Sequence, residues 1–390
     1  MISNMLPNDP NRPDYYYLND VSLKTLSRGY LKEGIPVEDL KEAAIERANQ
    51  LVDTAEMILN RDLPWLRIGV RRGWLSPASP IWSNFGLQRG LPISCNGSYM
   101  DDTMDSILFK NTEIGKMTQL GAGTSLFMGA LREFGSSITG GGTSEGPVHF
   151  ARLIQEQVSV ISQSNVRRGN CAVWLPVEHP DIERWLEMRS RKDGVLHPIQ
   201  HLSFGVTIGD EWMKEMLAEP KGGVKRKIMA AIRTRRRETG FPYILFKDNA
   251  NNGAPKWFKD LGLEIVASNL CTEIMLPSGP KLSFVCDLSS INLLHWDEYK
   301  DTPFIKEAVY FLDAVMSEYI YKTGNIKFLK DARHFSQMYR ALGLGVLGWH
   351  SLLQSKHLPV DSDETRALNV EIFKHLKEES YTASRELAEW

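Results

Sequence analysis

Ser268-Asn269-Leu270-Cys271-Thr272-Glu273-Ile274-Met275-Leu276-Pro277 is the stretch on which the reading of this chain turns. In an extended backbone successive side chains point to opposite faces, so Asn269, Cys271 and Glu273 would share one side. That brings an amide, a thiol and a carboxylate into one small volume, a trio suited to proton and hydrogen-atom chemistry on a polar substrate. The same spacing also describes an ordinary edge strand with a polar face. Spacing alone leaves both readings open.

Two more cysteine-centred segments bear on the choice. Pro92-Ile93-Ser94-Cys95, followed by Asp101-Asp102-Thr103-Met104-Asp105-Ser106-Ile107, lies upstream, and Phe284-Val285-Cys286-Asp287-Leu288-Ser289-Ser290-Ile291-Asn292-Leu293 lies downstream. In this order the three segments resemble the large (alpha, catalytic) subunit of ribonucleotide reductases, and Asn-Leu-Cys-x-Glu-Ile-x-Leu-Pro resembles that family's finger loop. The resemblance runs from about residue 76 to 390 and is weakest over the first 75 residues. It implies an α/β fold built on the family's ten-stranded α/β barrel: the first half-barrel, the central finger loop and the start of the second half. A mainly helical segment over residues 1–75 would precede an incomplete barrel over 76–390.

The resemblance also implies roles. Cys271 would carry the transient thiyl radical that removes the ribose 3′ hydrogen, Glu273 would act as base at the 3′-hydroxyl, and Asn269 would hold the sugar by hydrogen bonds. Cys95 and Cys286 would supply two electrons and close to a disulfide. Ser79 and Ser94 match substrate-binding hydroxyls, although plain turn or strand serines would read the same. The implied reaction reduces ribonucleoside diphosphates to 2′-deoxyribonucleoside diphosphates, the precursors of DNA.

Gly129-Ala130-Leu131-Arg132-Glu133-Phe134-Gly135-Ser136 resembles the first loop of the family's specificity site, where a nucleoside triphosphate (a dNTP or ATP) selects the substrate. Arg132 would meet its phosphates and Asp102 its ribose. Ser164-Asn165-Val166-Arg167-Arg168-Gly169-Asn170 matches the second loop, placing Arg167 and Arg168 near the effector. A guanidinium fork suits phosphate, while an exposed arginine bathed in solvent would look the same in sequence.

By the same resemblance, no cofactor is bound covalently. The radical would come from a separate metal-containing small (beta) subunit, the external reductant would be a thiol protein such as thioredoxin or glutaredoxin, and the large subunit would dimerise. A cobalamin-dependent class II enzyme is an alternative to class I. So is a non-catalytic half that binds effector or completes another polypeptide. The family's later tyrosine pair, substrate-phosphate loop and carboxy-terminal cysteine pair cannot be placed, and the final helical stretch reaches Trp390 without a Gly or Pro terminator. The expectation is therefore an amino-terminal portion, split, intein-interrupted or partial, with a complementary carboxy-terminal chain. No match to the family's activity-regulating cone precedes Cys95.

Composition agrees with this reading without requiring it. Of 390 residues, 42% are hydrophobic and 24% charged, with a formal charge of −2, so nothing draws the whole chain to nucleic acid or to an anionic membrane. No apolar run reaches membrane-spanning length and no signal peptide opens the sequence, which points to the cytoplasm. The four cysteines, Cys95, Cys171, Cys271 and Cys286, form neither a disulfide framework nor a zinc pattern. His197 and His201 have Pro198 between them, and no metal site is expected. Cys171 heads the apolar run of residues 171–175 and reads as packing. Gly121-Ala122-Gly123 lacks the third glycine of a dinucleotide loop. The basic cluster from Lys225 to Arg237 reads as the solvated face of a helix whose buried stripe is Ile228, Met229 and Ile232.

Periodicity predicts a helix entered at Pro36 and Val37, with Leu40, Ala43, Ala44, Ala48, Leu51, Ala55 and Ile58 three or four apart on one buried face. Further helices are predicted over residues 148–161, 180–189, 304–320 and 364–390. Strands are predicted over 171–175 and 282–288, and strand-and-loop structure over 76–95. Alternation of this kind favours α/β architecture.

Overall fold

In the computed structural model, which describes residues 12–161, 168–192 and 194–390, ten strands alternate with helices. They are β1 (Leu75–Pro77), β2 (Cys95–Tyr99), β3 (Gly123–Phe127), β4 (Cys171–Pro176), β5 (Arg191–Lys192), β6 (Val195–Leu196), β7 (Ser203–Ile208), β8 (Tyr243–Phe246), β9 (Phe284–Asn292) and β10 (Leu342–Leu347). The chain groups into two units. One takes in Met1–Ile93, Asp287–Lys322 and Arg340–Trp390, and the other Ser94–Cys286 and Thr323–Tyr339.

The second unit holds Cys95, Cys271 and Cys286. Its sheet runs β2-β3-β4-β7-β8, every neighbouring pair parallel, and residues 284–286 of β9 add to the free edge of β2 in antiparallel sense. Parallel neighbours need long crossovers, and helices supply them: Met104–Gln119 joins β2 to β3, and Gly146–Val160 lies between β3 and β4. The first of these starts where Thr103 takes the Ser106 amide on its side-chain oxygen, the usual way an orphan helix donor is satisfied. Strand β4, the run Cys-Ala-Val-Trp-Leu-Pro, is buried along almost its whole length, as a central parallel strand covered on both faces should be. Ile114, Leu126, Val173, Leu175, Trp185 and Phe204 belong to the core on one face. Phe127, Trp174, Leu245 and Ala267 cluster on the other, so the segment leading to Cys271 is packed against the sheet itself.

In the first unit, β1 pairs antiparallel with Ser289–Ile291 and β10 pairs parallel with Asp287–Asn292. Helix Leu40–Leu59 buries Leu40, Ala44, Ala48, Leu51 and Ala55 of the face that periodicity predicts, leaves Ala43 and Ile58 only partly buried, and ends where Asn60 turns left-handed at φ 51°. Arg47 reaches from this helix to the carbonyls of Ile81, Trp82 and Phe85, at 3.1, 2.9 and 2.7 Å. Those carbonyls belong to or follow a short helix, Ser79–Asn84, where the sequence reads as strand and loop; Pro80 in its first turn costs the helix no hydrogen bond. The helix predicted over 180–189 shrinks to Ile182–Leu186, with Arg189 held at φ 63°. Among the described residues no helix is long and apolar enough to cross a membrane.

One contact sets how closely β2 and β9 approach. Gly97 lies opposite Phe284 in the antiparallel register, and a Cβ built on Gly97 would run into the phenyl ring. Gly97→Ala should therefore overpack the pair and destabilise the protein by about 1–3 kcal/mol, read as a lower urea midpoint. An unchanged midpoint would show that the ring can move aside.

Candidate active site

Register brings two cysteines together. Cys95, the first residue of β2, is the direct antiparallel partner of Cys286 on β9. Directly opposed residues in such a pair have Cα atoms about 4.5–5.5 Å apart and side chains on one face, inside the Cα range a disulfide spans. Cys286 is buried and Cys95 partly so, and the Ser94 hydroxyl lies 3.9 Å from the Cys95 sulfur.

The loop carrying Cys271 is not the extended strand that alternation predicts. Residues 270–272 form a turn, with Thr272 at φ 69°, and the Thr272 amide donates to the Asn269 carbonyl at 3.2 Å. The physical cause is the buried Asn269 side chain. Its Oδ1 accepts from the amides of Glu273 (3.0 Å) and Ile274 (3.1 Å), and its Nδ2 donates to Glu273 Oε1 (2.8 Å). An asparagine that binds backbone ahead of it competes with a strand ladder and favours a turn. Ser268 closes the base by donating to the Ile274 carbonyl at 2.8 Å. Amide and carboxylate thus meet through a turn rather than through a shared strand face, and Cys271 stands exposed at its tip.

Cys95 feels the whole group. Burial first, then the charge of Glu273, pushes its thiol up to about 11; hydrogen bonds from Ser94 and Asn269 act the other way, and Cys271 adds a smaller upward push. Three thiols, a carboxylate and an amide therefore share one neighbourhood within the second unit. The set can take a proton at Glu273, whose carboxylate the buried Asn269 amide positions, and exchange a dithiol for a disulfide at Cys95 and Cys286.

The remaining predicted residues fall as follows. Ser94 abuts Cys95, whereas Ser79 opens helix Ser79–Asn84 in the other unit. Asp102 and Arg132 are joined: Asp102 accepts from the Arg132 amide at 3.1 Å and from its Nε at 2.7 Å, both side chains partly exposed, and Arg132 also donates to the Ser137 carbonyl at 2.7 Å. Arg168 is exposed and Arg167 lies outside the described residues. Cys171 is fully buried, its thiol pushed up to about 12 by burial, in keeping with a packing role. No cluster of three or more His, Cys, Asp or Glu side chains able to hold a metal occurs among the described residues.

Sequence reasoning missed one group. Buried Lys110, on helix Met104–Gln119, donates to Glu113 (3.0 Å), to Asp331 (2.7 Å) and to Ser283 (2.9 Å), while Glu113 also accepts from Ser98 and Ser283. Ser98 is three residues after Cys95 and Ser283 three before Cys286, so the ion cluster ties down both thiol-bearing strands. The available signal was a Lys-x-x-Glu pair on a helix face shared with Ile107 and Ile114, all four buried.

Comparison with known proteins adds family evidence. The family described as "Ribonucleotide reductase, barrel domain" matches residues 93–225 and 218–390. Relatives from Frog virus 3 and Invertebrate iridescent virus 3, the latter named "Ribonucleoside-diphosphate reductase large subunit", are 32% identical over 332 residues and 28% over 384, each match covering 81% of this chain. This chain spans 57% and 60% of their lengths. A "Vitamin B12-dependent ribonucleoside-diphosphate reductase" of Mycobacterium tuberculosis is 30% identical over 335 residues, covering 80% of this chain and 46% of that protein. The solved Actinobacillus ureae class Id ribonucleotide reductase alpha subunit superposes with a TM-score of 0.89 at 44% identity, covering 97% of this chain and 69% of that one.

The thiol geometry predicts an order of alkylation. With iodoacetamide at pH 8, exposed Cys271 should react first. Cys95 should lag, because a thiol near 11 leaves about one thiolate in a thousand at that pH, and should speed up as pH rises toward 11. Cys171 and Cys286 should react only on unfolding; peptide mass spectrometry that finds either modified before Cys271 would contradict the site.

Proposed function

We propose that this chain, which belongs to the ribonucleotide reductase barrel family, reduces ribonucleoside diphosphates to 2′-deoxyribonucleoside diphosphates by thiyl-radical chemistry. The observation that carries the reading is the position of Cys95, register-paired with Cys286 and under the electrostatic influence of Glu273 and Cys271. In this reading Cys271, oxidised by one electron with loss of its proton, takes the 3′ hydrogen atom of the ribose. Glu273 accepts the 3′-hydroxyl proton, with Asn269 holding both its carboxylate and the sugar. The 2′-hydroxyl leaves as water. Cys95 and Cys286 give up two electrons and two protons as they close to a disulfide, and Cys271 returns a hydrogen to C3′. The balance is ribonucleotide plus dithiol to deoxyribonucleotide, disulfide and water.

The radical would come from a separate metal-containing small subunit, as in class I, and the disulfide would be reopened by an external thiol protein such as thioredoxin or glutaredoxin. A large-subunit dimer would bind a nucleoside triphosphate effector through Arg132, Asp102, Arg167 and Arg168. The length that relatives have beyond this chain would be supplied by a complementary carboxy-terminal chain. A cobalamin-dependent enzyme is a second reading, favoured by the vitamin B12-dependent relative.

The test is deoxynucleotide formation from a radiolabelled ribonucleoside diphosphate, with the small subunit or adenosylcobalamin supplied in parallel, each with and without the complementary chain. Product dependent on the small subunit supports class I, and product dependent on cobalamin supports class II. Absence of product in every combination, with triphosphate still bound, would leave a non-catalytic half. Cys271→Ser should lower turnover by more than about a thousandfold while leaving triphosphate affinity intact, since the hydroxyl cannot serve as the thiol does. Arg132→Ala should weaken triphosphate binding by roughly 10- to 100-fold, the worth of a charge-assisted hydrogen bond, with little change in melting temperature. Unchanged affinity would remove Arg132 from the effector site.

A further inference from the structure

The thiols stand at the amino ends of the parallel strands, and the opposite ends carry a cavity with its own chemistry. Cys95 is the first residue of β2 and Tyr99 the last, an offset of about 13 Å along an extended strand. At the Tyr99 end a cavity of about 520 Å³ opens within the second unit, walled by the closing residues of β2, β3 and β4, by Lys247 just past β8, and by residues 262–266 and 277–282. Open α/β sheets place ligands in such crevices outside the carboxyl ends of their strands.

The lining is specific. Tyr99 and Phe127 pack on one another with ring centroids 5.3 Å apart and planes tilted by 31°, and this aromatic pair forms one wall of the cavity. Lys247 offers an ammonium group and Glu264 a carboxylate, and neither forms an ion pair or a side-chain hydrogen bond among the described residues. Glu264 reaches the Tyr99 phenol electrostatically: burial, then Asp101 and Glu264, push that hydroxyl up from its ordinary range. Ser278, also in the wall, has a buried hydroxyl without a hydrogen-bond partner among the described residues, which an acceptor on a ligand would satisfy.

We propose that this cavity binds a small zwitterion with a flat aromatic body, its anionic group at Lys247, its ammonium at Glu264 and its ring on the Tyr99–Phe127 wall. Residues 262–266 and 277–282 are the two legs of the loop whose tip carries Asn269, Cys271 and Glu273. An occupant touching both legs stiffens that loop from its base, and so acts on the exposed thiol from the far end of the strands. This needs no assumption about the reaction, because its readouts are binding and thiol reactivity.

The experiment is calorimetric titration of the full chain with L-tryptophan, with tryptamine (no carboxylate) and with indole-3-propionate (no ammonium). L-Tryptophan should bind about tenfold more tightly than either half-matched probe. Lys247→Ala should erase its advantage over tryptamine, and Glu264→Ala its advantage over indole-3-propionate, with both variants melting as the parent does. Saturating L-tryptophan should slow alkylation of Cys271 several-fold in the parent and in neither variant. No heat with L-tryptophan up to about 10 mM, or equal affinity in parent and variants, would overturn the site. Binding with unchanged Cys271 reactivity would overturn its action on the loop.

Discussion

The antiparallel pairing of residues 284–286 with 95–97 is the constraint on which the candidate site depends. The five other strands of that sheet run parallel and could exist without it. Only this pairing brings Cys286 opposite Cys95, across nearly two hundred residues of chain. A shift of one residue would turn every side chain of the partner strand to the other face and separate the thiols. The register is held by shape, since Gly97 leaves room for the Phe284 ring and no larger residue would. It is also held by charge, since Lys110 and its partners grip Ser98 on β2 and Ser283 immediately before β9.

The loop between residues 262 and 282 is fixed by a different economy. With few backbone ladders of its own, it uses side chains: Asn251 donates to and accepts from Ile265 at 2.9 Å on one leg, and Asn269 binds three groups ahead of it at the tip. Burying Asn269 fully is tolerable because its amide is satisfied on both sides, and unsatisfied burial of such a group would cost about 1–3 kcal/mol. The result is a loop tied at its base by side-chain hydrogen bonds, with the Cys271 thiol exposed at its tip.

These two devices explain what could be read in advance. The proposed site residues could be singled out because their types suit thiol and carboxylate chemistry, and their order along the chain carries the resemblance. Helix Leu40–Leu59 was legible from its apolar stripe, and β4 from its continuous run. The turn at 270–272 was not, because alternation assumes that nothing competes with the backbone, and Asn269 does. Strands β7 and β8 were not either. Ser203-Phe-Gly-Val-Thr-Ile carries a glycine that the Trp174 ring fills from the next strand, a tertiary reason invisible in one segment. The joining of Asp102 to Arg132 was equally hidden, since each residue was read separately for a ligand and the pair is made by strands and loops folding together.

The Lys110 cluster raises the question of why a buried ion group stands where apolar packing would serve stability as well. Desolvating an ammonium and two carboxylates is costly, and well-packed hydrophobic replacements often match or exceed such groups in stability. What the cluster adds to the apolar fit of Gly97 and Phe284 is a second, polar condition on the register, since its charges must find their partners as well as be covered. An ammonium that must meet Glu113, Asp331 and the Ser283 hydroxyl at 2.7–3.0 Å is satisfied in one arrangement only, and any slip strands a buried charge. The cluster thus trades some stability for a single alignment of the two strands, the property that a dithiol pair formed across strands requires.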